Sequence, residues 1–140
     1  MLVKDVMRTE LFFFEEEQII SVSDILGLEK VRNIPVVNKN KKLVGIITHR
    51  EFMKALSKRS EDIPVKNYMV TEVVAVGPEI PLKGAIDIMI INKFGCLPVV
   101  SKERKLIGLL TETDLLQMLF KMVKLPDAFF PSVKLANLSQ

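Results

Sequence analysis

At 140 residues, 49% hydrophobic and 26% charged, the chain is sized for one domain or two very small ones, and disorder is not its default. The net charge of +3 comes without a basic stripe interleaved with aromatics, so a nucleic-acid partner is not expected. One cysteine excludes an internal disulfide, no apolar run approaches the ~18 residues of a spanning helix, and Lys4 and Asp5 break a signal-peptide pattern; a cytoplasmic protein with no membrane contact is expected.

Leu2 to Met7 reads as a short leading helix, and Leu11-Phe12-Phe13-Phe14 as a buried strand. Glu15-Glu16-Glu17 suits the positive end of a following helix, whose apolar face would carry Ile19 or Ile20, Val22, Ile25, Leu26 and Leu28. Ile34-Pro35-Val36-Val37 and Leu43-Val44-Gly45-Ile46-Ile47 flank a polar stretch, which predicts a hairpin with Pro35 at a strand start or on an edge. A helix with Phe52, Met53, Ala55 and Leu56 on its apolar face comes next, and Ser57 to Pro64 is the candidate linker.

The order then repeats. Val65 to Met69 echoes Val3 to Met7 at a spacing of 62, Val73 to Val76 is the strand, and Gly77-Pro78 turns the chain. Leu82, Ala85, Ile86, Met89 and Ile90 share a helical face. Leu97 to Val100 and Leu106 to Leu110 form the second hairpin, and Leu115 to Val123 the closing helix. Pro35 matches Pro98, Gly45 matches Gly108 and Thr48 matches Thr111, always 63 apart. Two copies are too few for a solenoid, and one unit of this size buries a poor core. Two units packed face to face solve that problem and leave clefts between equivalent loops.

On these features the chain resembles a tandem pair of cystathionine β-synthase (CBS) domains, a Bateman module. The features are leading segments ending in Met7 and Met69, paired Pro-Val-Val strands, and two Gly-x-x-Thr-x-x-acid motifs, together covering residues 1–123. The resemblance implies an α/β (α+β) fold of two repeated β-α-β-β-α units, 1–60 and 61–124, packed by pseudo-twofold symmetry, with a tail at 125–140. It also implies a regulatory module that is not an enzyme and carries no catalytic cofactor or metal. Its expected ligand is adenosine-containing: AMP, ADP, ATP or S-adenosylmethionine. Pairing into a homodimer is expected as well.

Thr48 with Glu51, and Thr111 with Asp114, have the spacing of a helix capping box, which by itself would account for both pairs. The same geometry suits a nucleotide, because a helix N-terminus offers free amides to a phosphate and a carboxylate one turn in can accept ribose hydroxyls. In the family that acid is usually Asp. Asp114 fits, whereas Glu51 is longer, so Thr111 and Asp114 mark the better nucleoside site. His49 and Arg50 are the cations of the first motif and candidates for phosphate; Glu112 and Thr113 replace them in the second.

By resemblance, the adenine slot of the second unit is lined by Val73, Val74, Cys96, Leu97 and Pro98, and that of the first by Leu11, Phe12 and Asn33 to Pro35. Val70 stands where many members have Thr, which removes one polar ligand contact. Cys96 reads as a buried structural thiol. Ile88 and Ile91 lie off their helix stripe, and Leu116, Met118, Leu119, Phe120, Met122 and Val123 nearly surround the last helix. Such a helix is buried on several sides, in a dimer or against an effector protein. A tail with Phe129 and Phe130 is expected to pack on the body or on a dimer mate. One His and one Cys supply neither a nucleophile–base pair nor a metal cluster.

Overall fold

The structure, a computed structural model, describes residues 1–26, 32–58 and 62–123. Leu28, the 59–61 part of the linker and the tail lie outside them. A 3-10 turn at Val3–Asp5 opens the chain. The elements that follow are β1 (Phe14–Glu15), β2 (Ile19–Ser21), α1 (Val22–Leu26), β3 (Asn33–Val37), β4 (Leu43–Thr48) and α2 (His49–Ser57). The second copy runs through β5 (Asp62–Pro64), α3 (Val65–Tyr68), α4 (Leu82–Asn92), β6 (Cys96–Val100), β7 (Leu106–Thr111) and α5 (Glu112–Met122).

Both predicted hairpins form. β3 and β4 pair antiparallel, as do β6 and β7, and Pro35 sits opposite Ile46 as Pro98 sits opposite Leu109. β1 adds to β3 in parallel, and Val76 bridges Val99 in the matching place. The hairpin tips turn through left-handed residues at matched positions, Lys41 (φ 63°) and Arg104 (φ 66°). The tips also pair with each other, since the Leu43 amide donates to the Arg104 carbonyl and the Leu106 amide to the Lys41 carbonyl, both at 3.1 Å.

The leading segments cross over. Val3 belongs to the core of Val76, Leu82, Ala85, Leu97, Val99 and Leu110, whereas Ile63 and Val65 belong to the core of Phe14, Ile20, Ile34, Val36, Ile47 and Phe52. β5 pairs with β2. Arg8 exchanges backbone hydrogen bonds with Leu109 at 2.8 and 3.0 Å, and Val70 exchanges them with Ile46 at 2.9 Å. This crossing explains the motif glycines. A Cβ on Gly108 would lie 2.5 Å from Met7 Sδ, and one on Gly45 would lie 2.7 Å from Met69 Sδ and 3.0 Å from the Val70 carbonyl. Each glycine clears space for the other repeat's leading methionine.

Four local expectations are corrected. The Leu11–Phe14 strand is confined to Phe14–Glu15, because only these two residues find a partner strand; Phe12 is half exposed and sets its ring edge-on to Phe14. Glu15 to Glu17 do not start a helix. They lead through a turn into β2, and α1 begins after Ser21, whose Oγ accepts from the Asp24 amide while Asp24 Oδ2 accepts from the Ser21 amide. Val73 to Ala75 join no strand, and Val73 and Val74 instead wall a cleft; only Val76 bridges to a strand. Met53 and Ile90 point outward, at the margins of stripes whose centres are Phe52 and Ala55 in α2 and Leu82, Ala85 and Met89 in α4. Within this chain alone, α5 buries no residue fully. Leu116, Leu119, Phe120 and Met122 are each more than half exposed.

Candidate functional site

Each hairpin ends at a threonine that is also the residue before a helix, so the first turns of α2 and α5 open onto the space between the repeats. Two clefts lie there, and they share Asn33, Thr48, Arg50 and Gly95. The first encloses about 420 Å³ and is walled by Ile46, Glu51, Val70, Glu72, Val73, Val74, Lys93, Phe94, Cys96 and Pro98. The second encloses about 790 Å³ and is walled by Arg8, Glu10, Leu11, Phe12, Arg32, His49, Leu109, Thr111, Glu112 and Thr113.

The two Thr–acid pairs are wired differently. In the first, the Thr48 amide and hydroxyl both donate to Glu51 Oε1, at 3.1 and 2.6 Å, and Glu51 is buried at 6% exposure. In the second, the Asp114 amide donates to Thr111 Oγ at 3.1 Å and the Thr111 hydroxyl donates to Asp114 Oδ2 at 2.7 Å. Asp114, one methylene shorter, bonds the hydroxyl rather than reaching back to the Thr111 amide. Its other oxygen, Oδ1, receives the Arg8 guanidinium at 2.8 Å, and its side chain is only 12% exposed. Both pairs therefore cap their helices.

Thr48, Arg50, Glu51, Val73, Val74 and Pro98 gather around the first cleft. Thr111 and His49 line the second together with Thr48 and Arg50, while Asp114 stands behind Thr111 and Arg8. Val73, Val74 and Pro98 thus do not join Thr111 and Asp114. The crossed leading segments bring them to the first repeat's motif instead, and Leu11 and Phe12 take the matching place beside the second. Leu97 reaches neither cleft; its strand alternation turns it into the second core, with no exposure. Sequence reasoning misses Arg8, Arg32, Glu72, Lys93, Phe94 and Gly95. For Arg8 a signal exists, because it follows Met7 as Val70 follows Met69.

Cys96 faces the first cleft at 6% exposure. Burial, reinforced by the Glu112 carboxylate, pushes its thiol up to about 12. Such a thiol is neutral at physiological pH and a poor nucleophile. Among the described residues, no cluster of three His, Cys, Asp or Glu side chains could hold a metal ion, and no helix is long and apolar enough to cross a membrane.

Comparison with known proteins matches this architecture. The family model described as the CBS domain matches twice, over residues 3–58 and 65–121. The uncharacterized protein MJ1426 of Methanocaldococcus jannaschii is 27% identical over 153 residues, spanning 85% of this chain and 91% of that one. The inosine-5'-monophosphate dehydrogenase of the same organism is 30% identical over 116 residues, 83% of this chain but only 22% of the relative. Among solved structures, CBSX2 in complex with AMP superposes with a TM-score of 0.71 at 28% identity, covering 86% of this chain and 97% of that one. The CBS domain pair of protein MJ0100, in complex with 5'-methylthioadenosine and S-adenosyl-L-methionine, gives a TM-score of 0.71 at 25% identity, covering 85% and 99%. With two matches in register over nearly all the described residues, the chain belongs to the CBS domain family, as a tandem pair.

Proposed function

We propose that this CBS pair is a regulatory, non-catalytic module that binds an adenosine-containing ligand between its repeats, with the second cleft as the principal nucleoside site. The observation that carries this reading is the placement of Thr111 and Asp114 at the N-terminus of α5, beside a cleft of about 790 Å³ whose lining includes the apolar Leu11, Phe12 and Leu109 and the cations Arg8, Arg32 and Arg50. Asp114 would accept the ribose hydroxyls. Leu11 and Phe12 would face the base, with Asn33 offering its amide to the base edge. Arg50, His49 and Arg32 would receive phosphate, which a planar guanidinium can bind through two parallel bonds. That related pairs hold AMP, or 5'-methylthioadenosine with S-adenosylmethionine, supports the adenosine class.

Regulation requires the ligand to favour one arrangement of the module over another. The exposed apolar residues of α4 and α5, Ile90, Ile91, Leu116, Leu119 and Phe120, favour a homodimer as the assembly in which that arrangement is read. They equally support a second reading, in which the module acts through protein contacts alone and its clefts stay empty.

Thermal melts with AMP, ADP, ATP and S-adenosylmethionine separate the two readings. A ligand at 100 times its dissociation constant adds about 2.7 kcal/mol, a rise of several degrees for a chain of this size. A rise with one of these ligands that disappears in Asp114→Ala supports the nucleotide module. No rise with any of them leaves the interaction module.

A further inference from the structure

We propose that Arg8 is a built-in counter-ion that reserves the second cleft for phosphorylated adenosines and disfavours adenosine itself and S-adenosylmethionine. The inference rests on the reading of Asp114 as the ribose carboxylate. Both Asp114 oxygens are already engaged, Oδ2 by the Thr111 hydroxyl and Oδ1 by the Arg8 guanidinium at 2.8 Å. Arg8 lines the cleft and Asp114 does not. A ribose therefore reaches the carboxylate only when the guanidinium moves aside.

The Arg8 backbone cannot supply that movement, because its amide and carbonyl are both bonded to Leu109. Its side chain can, being half exposed. Leaving Asp114 costs Arg8 a charge-assisted hydrogen bond, and what the ligand brings decides whether that loss is made good. A phosphate on the nucleoside offers the guanidinium a new two-point partner within the same cleft, so Arg8 exchanges one anion for another. Adenosine offers no anion. S-adenosylmethionine places a sulfonium where the phosphate would be and carries its one carboxylate at the far end of the methionine chain. It therefore offers no anion at the phosphate position to Arg8, in a cleft lined by Arg32 and Arg50 as well as Glu10 and Glu112. The first cleft has no such device, because Val70 occupies the place of Arg8 beside Ile46, and among the described residues Glu51 bonds only Thr48.

The test is calorimetric titration of the full chain and of Arg8→Ala and Arg8→Lys with adenosine, AMP, ATP and S-adenosylmethionine. Amide chemical shifts of Thr113 and Val74 report which cleft responds, Thr113 for the second and Val74 for the first. At the second cleft the native chain is expected to bind AMP at least about tenfold more tightly than adenosine, the scale of one charge-assisted contact. In Arg8→Ala that ratio falls several-fold, because AMP loses one of its phosphate partners while Arg50, His49 and Arg32 remain, and adenosine holds or tightens. Arg8→Lys, which keeps the charge but not the fork, falls between. An unchanged ratio in Arg8→Ala, or native binding of adenosine or S-adenosylmethionine as tight as that of AMP at Thr113, overturns the counter-ion role and leaves the nucleotide module standing. If no compound moves either reporter in any of the three proteins, the nucleotide reading falls and this inference with it.

Discussion

The two clefts come from one repeated sequence, yet matched positions give them opposite characters. Where the second has Arg8, Leu11 and Phe12 on its walls and Asp114 behind Thr111, the first has Val70, Val73, Val74 and Glu51. The first is the smaller and less polar, and its acid is buried and committed to its own helix cap. The second is the larger, and its acid is shared between a cap and a half-exposed cation. A duplicated motif therefore does not imply duplicated chemistry. One copy of the Thr–acid pair can be specialised for holding a helix, while the other retains a carboxylate that a half-exposed side chain can uncover.

The sharpest way to break this comparison is to remove the two acids separately. Asp114→Ala is expected to weaken nucleotide binding by about 100-fold, the loss of two hydrogen bonds to a charged acceptor, while costing only about 1 kcal/mol of stability, because the amide of residue 114 still caps onto Thr111 Oγ and the half-exposed Arg8 can turn to water. Glu51→Ala should do the reverse. It leaves the Thr48 amide and hydroxyl without their acceptor at a part-buried position, so a stability loss of about 2 kcal/mol is expected with little change at the second cleft. Urea denaturation paired with calorimetric titration of the two variants measures both quantities. Equal losses in both would mean that the two acids are equivalent.

The glycines sharpen the comparison next. Alanine at either position overpacks a leading methionine, which costs about 1–3 kcal/mol. Gly45→Ala is expected to be the worse, since its Cβ would also crowd the Val70 carbonyl at 3.0 Å, whereas that of Gly108→Ala meets the Arg8 carbonyl at 3.3 Å and mainly displaces the flexible end of Met7. Gly108→Ala carries a second consequence. By shifting the Arg8 backbone it should alter nucleotide affinity at the second cleft without moving the Val74 amide. Denaturation midpoints rank the two variants, and the amide shifts test the asymmetry.

Hairpins, closing helices and caps are legible in the sequence because each is written locally: Pro-Val-Val and Leu-x-Gly runs around a polar turn, then a threonine three residues before an acid. The crossing of the leading segments is not legible. Val3 and Val65 look alike in both copies, and nothing local says which core each will enter. That crossing decides which walls meet which motif, so the sequence alone pairs Val73 and Val74 with Asp114 when they stand beside Thr48 and Glu51. The Arg8–Asp114 pair joins residues 106 apart and is hidden for the same reason. The outward turn of Phe12 and Ile90 reflects the other limit, since hydrophobic spacing locates a stripe but not its margins.

The smallest expected effect lies at Cys96, the counterpart of Asn33. Asn33 opens onto both clefts, while Cys96 faces only the first and is nearly closed off. Its thiol, pushed up to about 12 by burial and then by Glu112, ionises in the unfolded chain near the ordinary 9.0. Between those values the unfolded state binds fewer protons than the folded one, so stability falls as pH rises; well below pH 9 the residue contributes no slope. Relative to Cys96→Ala, the native chain should therefore hold a constant stability difference up to about pH 8.5 and lose about 1 kcal/mol of it by pH 10. Urea midpoints of both proteins across that range measure the loss. A flat difference through pH 10 would mean that the thiol is as well solvated folded as unfolded, and that the first cleft is more open to water at Cys96 than its 6% exposure indicates.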